Sequence, residues 1–503
     1  MTASDGDART GVVRTARGAF RTPVFMPVGT RGTVRAVTTA DMERLGAEIV
    51  LGNTYHLMLK PGADTVAALG GLHGFTTWSG HMLTDSGGYQ VFSLKPKVDD
   101  DGVTFRSTYD GSTHRLTPED AVRTQELLGA DIQMALDVCT ALPASRSELR
   151  LALDRTIEWA GRARRAHRRV DDQALFGIVQ GGTEPDLRAE SAKRTVDLDF
   201  DGYAVGGLSV GEPRDVMLPA LSAAVEHLPA DQPRYFMGLG DPVGIVEAVA
   251  LGVDMMDCVL PTRLGRHGTL LTSSGRVNIK RAEFARSDEP IDPACGCEVC
   301  GRYSRGYLRH LMSVGEPTAS TLCTLHNVAW LLAFVDSIRA AIESGTLDRC
   351  VRRPRRFGHD PPRRPERREG ARGDGAGRDG VGRVVVSPVE PGGDAGAGGV
   401  GEAARSRRSA ARGEGHGRAT RRDGPRLGHG ERDRRRNRRH RSRRRRRFGG
   451  RSAAGGRTGS AGPRALPAAA RSAGARHRRD AVAHRRRERR GGSRGRRRRR
   501  THG

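Results

Sequence analysis

Two aspartates that could do chemistry stand at the ends of short apolar runs. Asp137 closes the apolar run in "MALDVCT" (134–140), and Asp257 closes the run in "MMDCVLPTR" (255–263). Other apolar runs end in a similar polar or glycine-rich way, at Asp85-Ser86-Gly87-Gly88, Gln180-Gly181-Gly182 and Gly206-Gly207-Leu208. A single aspartate of this kind is most simply explained as a turn or helix-capping residue. Five such endings in one chain instead favour a common pocket.

These residue types suit chemistry at a glycosidic bond. When two carboxylates lie on opposite sides of a sugar, one can attack the anomeric carbon while the other moves protons. A third carboxylate, the Gln180 amide, exposed glycine backbone and the aromatic ring of Tyr89 suit a polar, planar ligand. The residues therefore predict glycosyl transfer or hydrolysis, and they leave the substrate open.

A cluster of cysteines indicates a metal site. Cys295, Cys297 and Cys300 form a C-x-C-x₂-C pattern in "CGCEVC", and three thiolates at this spacing can converge on one ion. By spacing alone, the fourth ligand could be Cys323 or His326. Four protein ligands would make a closed, structural zinc site, since a catalytic zinc keeps one position open.

The elements that must position these residues alternate along the chain. Strand-like apolar runs occur at 47–53, 81–88, 130–137, 174–182, 201–208, 234–240 and 253–261. Helical patterns, with apolar residues three and four apart, lie at 147–169, 241–252 and 326–345. This alternation predicts parallel βα units, and the continuously apolar strands indicate a sheet that is buried on both faces.

We therefore expect an α/β fold in which a (β/α)8 TIM-type barrel spans residues 1–285 and a zinc-binding helical subdomain spans 286–349. A body of about 250–300 residues has the size usual for this barrel. A doubly wound open sheet is the alternative, and periodicity does not separate the two. In a barrel, the carboxyl ends of the strands surround one mouth, where the polar endings described above would meet. Glycines at that mouth would let a ligand approach the backbone closely.

The charge of the chain is concentrated in its last third. From residue 351 onward there are about 49 Arg, no Lys and about 14 acidic residues, or about +35 net. Because the whole chain carries +28, the part before this tail is mildly acidic. The Arg/Gly/Ala-rich tail, 350–503, cannot bury a core, and we expect it to be disordered. It is either an RNA-binding arm or an out-of-frame product; the lack of Lys, the residues typical of GC-rich codons and the abrupt onset favour the second interpretation.

The location of the protein also follows from composition. No apolar segment of the signal-peptide type follows Met1, and no apolar run approaches the ~18 residues of a membrane-spanning helix. Outside the cluster the cysteines are sparse, as is usual in a reducing compartment. We expect a cytoplasmic protein with no membrane partner.

Seven motifs together carry a resemblance to a known family. In chain order they are "DSGGYQVFSL", "MALDVCT", "FGIVQGG", "YAVGGLSVGE", "MGLGDP", "DCVLPTRLGRHG" and "CGCEVC…HN". This combination, over about residues 8–349, closely resembles bacterial tRNA-guanine transglycosylase, also called queuine tRNA-ribosyltransferase. The resemblance implies a (β/α)8 barrel with a zinc subdomain. It also implies exchange of the wobble guanine in tRNAs with a GUN anticodon for a 7-deazaguanine base.

The resemblance assigns a role to each candidate residue. Asp257 would be the nucleophile that forms a covalent tRNA intermediate, and Asp85 would be the general acid/base. The remaining assignments are as follows: base-edge recognition by Asp137, Gln180 and the Gly207 backbone, ring stacking by Tyr89 and Met237, anticodon-loop binding by Arg263 and Arg266, and zinc ligation by Cys295, Cys297, Cys300 and His326. The resemblance thus selects His326 over Cys323 as the fourth ligand.

Further expectations concern the substrate and the partners. Cys139 and Val210 match the residues that bacterial members carry, which implies 7-aminomethyl-7-deazaguanine as the incoming base and the tRNA anticodon loop as the macromolecular partner. The family also implies a homodimer. The family's C-terminal helical region normally continues beyond the point where this chain becomes arginine-rich, so the last helix would be shortened. Because the body is mildly acidic, tRNA binding would need a local basic patch.

Two other functions are weighed against this one. A zinc-containing barrel glycosidase would use the same pair of aspartates, but the resemblance gives Asp137, Gln180 and Gly207 the role of recognising a base edge, which a glycosidase would not need. A non-catalytic RNA-binding protein would rely on the arginine-rich tail, but it would not need Asp85 and Asp257.

Overall fold

The computed structural model describes residues 1–351, with side chains through residue 349. These residues belong to one compact unit, Met1–Gly399, and a second unit, Val400–Gly503, lies outside the described range. The expectation of a disordered tail over 350–503 therefore falls almost wholly outside the described residues. The boundary between residues 285 and 286 stays a prediction.

Sixteen strands are found in the described part of the chain. In chain order they are β1 Ala3–Asp5, β2 Ala8–Thr15, β3 Gly18–Thr22, β4 Val24–Gly29, β5 Ile49–Gly52, β6 His81–Thr84, β7 Lys97–Asp99, β8 Gly102–Arg106, β9 Thr113–Leu116, β10 Ile132–Met134, β11 Ala174–Val179, β12 Gly202–Val205, β13 Arg234–Phe236, β14 Met255–Cys258, β15 Thr269–Thr272 and β16 Gly275–Asn278. Eight of them close a parallel barrel in the order β4-β5-β6-β10-β11-β12-β13-β14, with β14 paired to β4. The predicted (β/α)8 barrel is confirmed, and the open-sheet alternative is wrong.

One barrel strand, β4, was not predicted from the sequence. All six residues of β4, Val24–Gly29, are buried, and β4 lies between β14 and β5. Its sequence contains Pro27 and follows Pro23, and proline within a run is usually evidence against a central strand. The strand supplies the eighth member that closes the barrel.

Successive side chains of each barrel strand point alternately into the barrel and outward toward the helices, so the core has an inner and an outer layer. In β10, Ile132 and Met134 belong to the apolar cluster that fills the barrel. Gln133, between them, donates through Nε2 to Gln173 Oε1 at 3.0 Å. Gln125 fixes the same strand from outside, because its amide accepts from Met134 N at 3.0 Å and donates to Met134 O at 2.9 Å. Fixing β10 in this way fixes the start of the loop that carries Asp137.

The helices surround the barrel and extend beyond it. In chain order they are α1 Thr39–Arg44, α2 Thr54–Leu59, α3 Ala63–Ala68, α4 Gly71–Thr76, α5 Gly88–Phe92, α6 Pro118–Leu128, α7 Arg146–Ala166, α8 Pro185–Val196, α9 Arg214–Val225, α10 Pro242–Ala250, α11 Leu260–Arg266, a 3₁₀ turn at Ala282–Arg286, α12 Glu298–Arg302, α13 Arg305–Ser313, α14 Pro317–Glu343 and α15 Leu347–Val351. Predicted helices at 147–169 and 241–252 correspond to α7 and α10. Ser145 and Glu148 form a capping box at the start of α7.

The helix predicted at 326–345 is the second part of α14, a 27-residue helix. By length and mean hydropathy alone, α14 is long and apolar enough to cross a membrane. Half of its most apolar 18-residue window is buried inside the structure, and Leu331, Val335 and Ile338 pack into the cluster outside the barrel. Such packing is typical of a core helix. The chain continues into α15, where Leu347 N donates to Asp5 Oδ2 at 2.9 Å.

Candidate active site and metal centre

Three neighbouring strand ends meet around Asp137. Its buried carboxylate accepts from Ser86 Oγ at 3.2 Å and from Gln180 Nε2 at 2.6 Å. Ser86 follows β6, Asp137 follows β10 and Gln180 follows β11, so the barrel joins residues that are about a hundred positions apart. Burial raises the pKa of Asp137 to about 6. At neutral pH the group is therefore an ionised acceptor in a largely desolvated position.

Glycine is required where the next strand ends. Gly207 has φ +69°, and a Cβ there would lie 2.3 Å from Gln180 Oε1. A Cβ on Gly206 would lie 2.9 Å from Gln180 Nε2 and 3.5 Å from Met237 Sδ. Any side chain at these positions would displace the Gln180 amide. The pocket thus has an amide, a carboxylate and glycine backbone in direct contact.

Asp85 is held by four donors. Its Oδ1 accepts from Thr54 N at 2.9 Å and from Gly87 N at 3.2 Å, while Oδ2 accepts from the side-chain amides of Asn53 and Gln90. The carboxyl is buried, and this burial raises its pKa although the hydrogen bonds lower it. A carboxyl with a raised pKa that is held in one orientation is suited to proton transfer.

Among residues 1–349, the hydrogen bonds that hold Asp257 are made through one of its oxygens. Oδ1 accepts from Tyr235 Oη at 2.5 Å and from Gly238 N at 2.8 Å. Neither donor engages Oδ2. Burial, together with the nearby charge of Asp85, raises the pKa of Asp257 to about 6. The two donors fix Oδ1 and leave Oδ2 able to react, and this arrangement suits nucleophilic attack.

Tyr89 and Met237 lie at the edge of the same mouth. Tyr89, in the first turn of α5, is 61% exposed, and its pKa is raised by partial burial and by the nearby Cys139 and Cys258. Met237 follows β13, and its sulfur lies beside Gly206. The two side chains therefore reach the pocket from different strand ends, as two faces of a planar ligand would require.

A basic patch follows the Asp257 strand. Arg263 and Arg266 lie on α11, and Arg266 has its pKa lowered by burial and by the nearby charges of Arg35 and Arg263. Within residues 1–349, Arg266 Nε is buried and has no hydrogen-bond partner. Cations brought together in this way suit a phosphate or another anion. Arg35 was not identified from the sequence.

Helix α11 rests directly on the backbone of α14. A Cβ at Gly265 would lie 2.8 Å from the carbonyl carbon and oxygen of Cys323 and 2.9 Å from Thr324 Cα. These are backbone atoms and cannot rotate away. The close approach fixes the height of α11, and with it the basic patch, above the barrel mouth.

We expect Gly265→Ala to lower the free energy of unfolding by about 1–3 kcal/mol, because the two helices must separate. Urea denaturation followed by circular dichroism measures this. Gly161→Ala is the matched control: it lies within α7, and its nearest neighbour would be 3.4 Å away, at Arg165 Nη1. An equal loss of stability in both variants would contradict the contact argument.

The cysteine cluster forms a four-ligand group. The Sγ atoms of Cys295, Cys297 and Cys300 and the Nδ1 atom of His326 all lie within 4.8 Å of one another. Sulfur-to-nitrogen distances are 3.9, 3.4 and 3.3 Å, respectively. Zinc with ordinary bond lengths would hold such atoms about 3.5–3.8 Å apart. His326 Nε2 lies 2.7 Å from the Leu271 carbonyl, which leaves Nδ1 for the metal. The four residues fit a metal ion.

The residue after His326 links the metal centre to the active-site side of the protein. Asn327 is fully buried; its Nδ2 donates to Pro261 O and Thr269 O, both at 3.0 Å, and its Oδ1 accepts from Leu271 N at 2.9 Å. Cys323, the alternative ligand, lies outside the four-ligand group and is buried in the apolar cluster beneath it. The structure thus agrees with His326 as the fourth ligand.

The structure brings the predicted residues into two groups, one at the barrel mouth and the other the four-ligand cluster described above. At the barrel mouth lie Asp85, Tyr89, Asp137, Gln180, Gly207, Met237 and Asp257, with Arg263 and Arg266 on the adjoining helix. Supporting residues that the sequence analysis missed include Asn53, Gln90 and Tyr235. Asn53 had a signal, because it ends the apolar run "AEIVLGN" as the identified residues end theirs. The roles of the barrel-mouth residues in a reaction stay predictions.

Comparison with known proteins agrees with this geometry. A family model described as "TGT: Queuine tRNA-ribosyltransferase" matches residues 4–357. The queuine tRNA-ribosyltransferase of Symbiobacterium thermophilum is 51% identical over 342 residues, which cover 68% of this chain and 86% of that protein. Those of Herpetosiphon aurantiacus and Nitratidesulfovibrio vulgaris are 52% and 51% identical and cover 67% and 68% of this chain, and 87% and 92% of their own lengths. The family model spans most of the chain, and the resemblance inferred from seven motifs is confirmed: this chain belongs to the queuine tRNA-ribosyltransferase family.

Proposed function

We propose that this chain is a pentosyltransferase that exchanges the wobble guanine of tRNA for 7-aminomethyl-7-deazaguanine in queuosine biosynthesis. Its tRNA substrates would carry GUN anticodons, namely those for Asp, Asn, His and Tyr. Membership in the family supports tRNA-guanine transglycosylase activity. The observation that carries the proposal is the joint presence, at one barrel mouth, of Asp85 and Asp257 with the Asp137–Gln180–Gly207 group.

The base pocket has the hydrogen-bonding pattern that guanine needs. Guanine presents two neighbouring donors, the ring N–H and the exocyclic amine, beside one carbonyl acceptor. An ionised Asp137 accepts from donors only, whereas Gln180 and the Gly207 N–H can donate to the carbonyl. Adenine would place an acceptor opposite Asp137, so the pocket would disfavour it.

The two remaining carboxylates would carry the chemistry. Asp257 would attack the ribose anomeric carbon; the bond from that carbon to guanine breaks as the bond to the carboxylate oxygen forms. Asp85 would give a proton to the departing base and later accept one from the incoming 7-deazaguanine base, which then displaces Asp257. Oδ2 of Asp257, which neither Tyr235 nor Gly238 contacts, and the raised pKa of Asp85 support this division of roles.

The other parts of the molecule would serve binding and stability. Arg263 and Arg266 would hold the anticodon loop, and Tyr89 and Met237 would stack on the flipped base. Cys139 and Val210 support the aminomethyl base as the substrate, by resemblance to bacterial members. A single structural Zn²⁺ per subunit would occupy the Cys295, Cys297, Cys300 and His326 group. Homodimer formation and cytoplasmic location are proposed on the family resemblance.

The direct test is incorporation of radiolabelled guanine into a tRNA with a GUN anticodon. The full chain should be compared with a chain that ends after residue 349. We expect incorporation by both, which would make the arginine-rich tail dispensable. Failure of both, with folded protein and bound metal, would overturn the proposed function. Release of sugar from a small glycoside instead would favour a glycosidase.

Asp85→Asn is expected to slow guanine exchange by about 10²–10⁴-fold, the range usual for loss of a general acid or base. Asparagine keeps the size of the side chain and one of its two acceptor oxygens, but it cannot protonate the departing base. Binding of tRNA, measured by filter retention, should change less than about 2-fold, because Asp85 is not part of the basic patch. A parallel loss of tRNA binding would count against a role limited to proton transfer.

The rate of exchange should fall as the pH drops through about 6. The pKa values of Asp137 and Asp257 are both raised to about 6, so both carboxylates are ionised above that pH and protonated below it. Protonation removes the nucleophile and the acceptor for the base, so exchange should fall between about 10- and 100-fold per pH unit below 6. Single-turnover exchange from pH 5 to pH 8 measures this. A rate independent of pH over this range would contradict it.

A further inference from the structure

Arg188 lies completely buried behind the base pocket. It sits in the second turn of α8, and its side chain reaches the ends of two barrel strands. Its Nε donates to Gly182 O at 2.8 Å, and its Nη1 donates to Val179 O and to Gly206 O, each at 2.8 Å. The Val179 and Gly182 carbonyls lie on either side of Gln180, and the Gly206 carbonyl belongs to the peptide that precedes Gly207. One guanidinium therefore joins both loops of the base pocket.

Other contacts hold the same loop against α8. Gln180 N donates to Ser191 Oγ at 3.1 Å, one turn further along the helix from Arg188. A Cβ at Gly181 would lie 3.0 Å from Arg188 N and from Leu187 C, so the loop backbone rests on the helix backbone. Because the loop is already attached at these two points, the guanidinium is not the only contact that keeps Gln180 in place.

The charge of Arg188 is not cancelled by an ion pair among the described residues. Its hydrogen bonds go to carbonyl oxygens, and its Nη2 is buried with no partner in residues 1–349. Burial lowers its pKa to about 10, so the guanidinium stays protonated at neutral pH. Burying an unpaired cation costs free energy that a neutral residue at this position would not cost. A purely structural role is therefore a weaker explanation for an arginine here.

The position of the cation affects the Gly206–Gly207 peptide. The carbonyl of Gly206 and the N–H of Gly207 belong to one peptide unit, and in a trans peptide they point in opposite directions. When the carbonyl accepts from a cation, the N–H on the other side becomes a stronger donor. That N–H therefore points away from Arg188.

We propose that Arg188 is a positioning residue that strengthens the Gly207 N–H as a donor to the carbonyl oxygen of the departing base. This inference rests on the proposed function. As the glycosidic bond breaks, the base acquires negative charge, part of which lies on its carbonyl oxygen. A donor strengthened by Arg188 stabilises that charge more in the transition state than in the ground state.

The test compares guanine with 6-thioguanine. Both bases offer the ring N–H and the exocyclic amine to Asp137, but sulfur is a much weaker acceptor than oxygen. Equilibrium binding of each base is measured by calorimetry for the full chain and for Arg188→Gln. We expect Arg188→Gln to weaken guanine binding by about 10-fold and 6-thioguanine binding by less than 2-fold. Exchange by Arg188→Gln should fall by about 100-fold, with the KM for tRNA unchanged.

Two further variants separate this role from a structural one. Arg188→Lys keeps the charge, so its preference for guanine over 6-thioguanine should stay within about 2-fold of that of the unchanged protein, even if it is less stable. Arg194→Gln, also on α8 but paired with Asp154 and Glu190 at the surface, should leave the binding of both bases unchanged. If Arg188→Gln weakens the binding of both bases equally, the proposal is overturned. Where the glutamine variant does not fold, loss of the preference for guanine over 6-thioguanine in Arg188→Lys, although the charge is kept, overturns it. Binding of a base can be measured without exchange. If the protein without substitutions does not exchange guanine, the proposed function is rejected. The comparison of guanine with 6-thioguanine binding still tests the role of Arg188.

Discussion

Asp257→Asn is expected to abolish the covalent complex with tRNA and to reduce guanine exchange by about 10⁴-fold or more, as loss of an enzyme nucleophile usually does. The amide oxygen of asparagine can still accept from Tyr235 and Gly238, so the fold around it should persist. What is lost is the second carboxylate oxygen, which neither donor engages. The change therefore removes the reacting group with little effect on its surroundings.

The covalent complex can be measured directly. The protein is mixed with a radiolabelled tRNA, denatured and separated by gel electrophoresis, so that only covalently attached tRNA moves with it. Asp215→Asn, the same change on the exposed first turn of α9, is the control and should form the complex normally. A stable complex in Asp257→Asn would move the nucleophilic role to another residue, with Asp85 the next to examine.

The barrel and the principal site residues could be predicted because both depend on local sequence. An apolar run followed by a polar residue or glycine is visible within a few positions, and Asp85, Asp137, Gln180 and Asp257 all show it. A parallel barrel brings such endings together whatever their spacing along the chain. Strand β4 was missed for a local reason also, since its proline resembles a strand terminator.

The residues that orient the site could not be predicted in the same way. Tyr235 lies two positions before Met237 within an apolar run, where its hydroxyl cannot be distinguished from an ordinary core tyrosine. Arg188 follows a glycine-rich loop in a helix that carries several charges, and only the three-dimensional contacts show that it is fully buried. The partner of each is set by neighbouring strands, and periodicity within one segment carries no information about them. Local sequence was thus enough to select the candidate reacting groups at the barrel mouth, and tertiary contacts were needed to find the residues that orient them.

Removal of the metal is expected to have the second large effect. Cys297→Ser should release the ion, because serine is a poor zinc ligand and the three remaining groups cannot close the site. Metal content is measured by atomic absorption, and stability by thermal denaturation. Cys323→Ala, a change at the buried cysteine outside the ligand group, is the control and should keep one ion per chain. Stoichiometric zinc in Cys297→Ser would count against the ligand assignment.

Loss of the metal should weaken tRNA binding more than it weakens guanine binding in the base pocket. His326 and Asn327 are neighbours on α14, and Asn327 holds the carbonyl of Pro261 at the start of α11. Loosening α14 would therefore release the helix that carries Arg263 and Arg266. Asp137 and Gln180, in contrast, bond to each other within the barrel. We expect Cys297→Ser to weaken tRNA binding by about 10-fold or more, the loss of one or two phosphate contacts, while guanine binding changes by less than about 2-fold. An equal loss of both would mean that the barrel mouth itself depends on the metal.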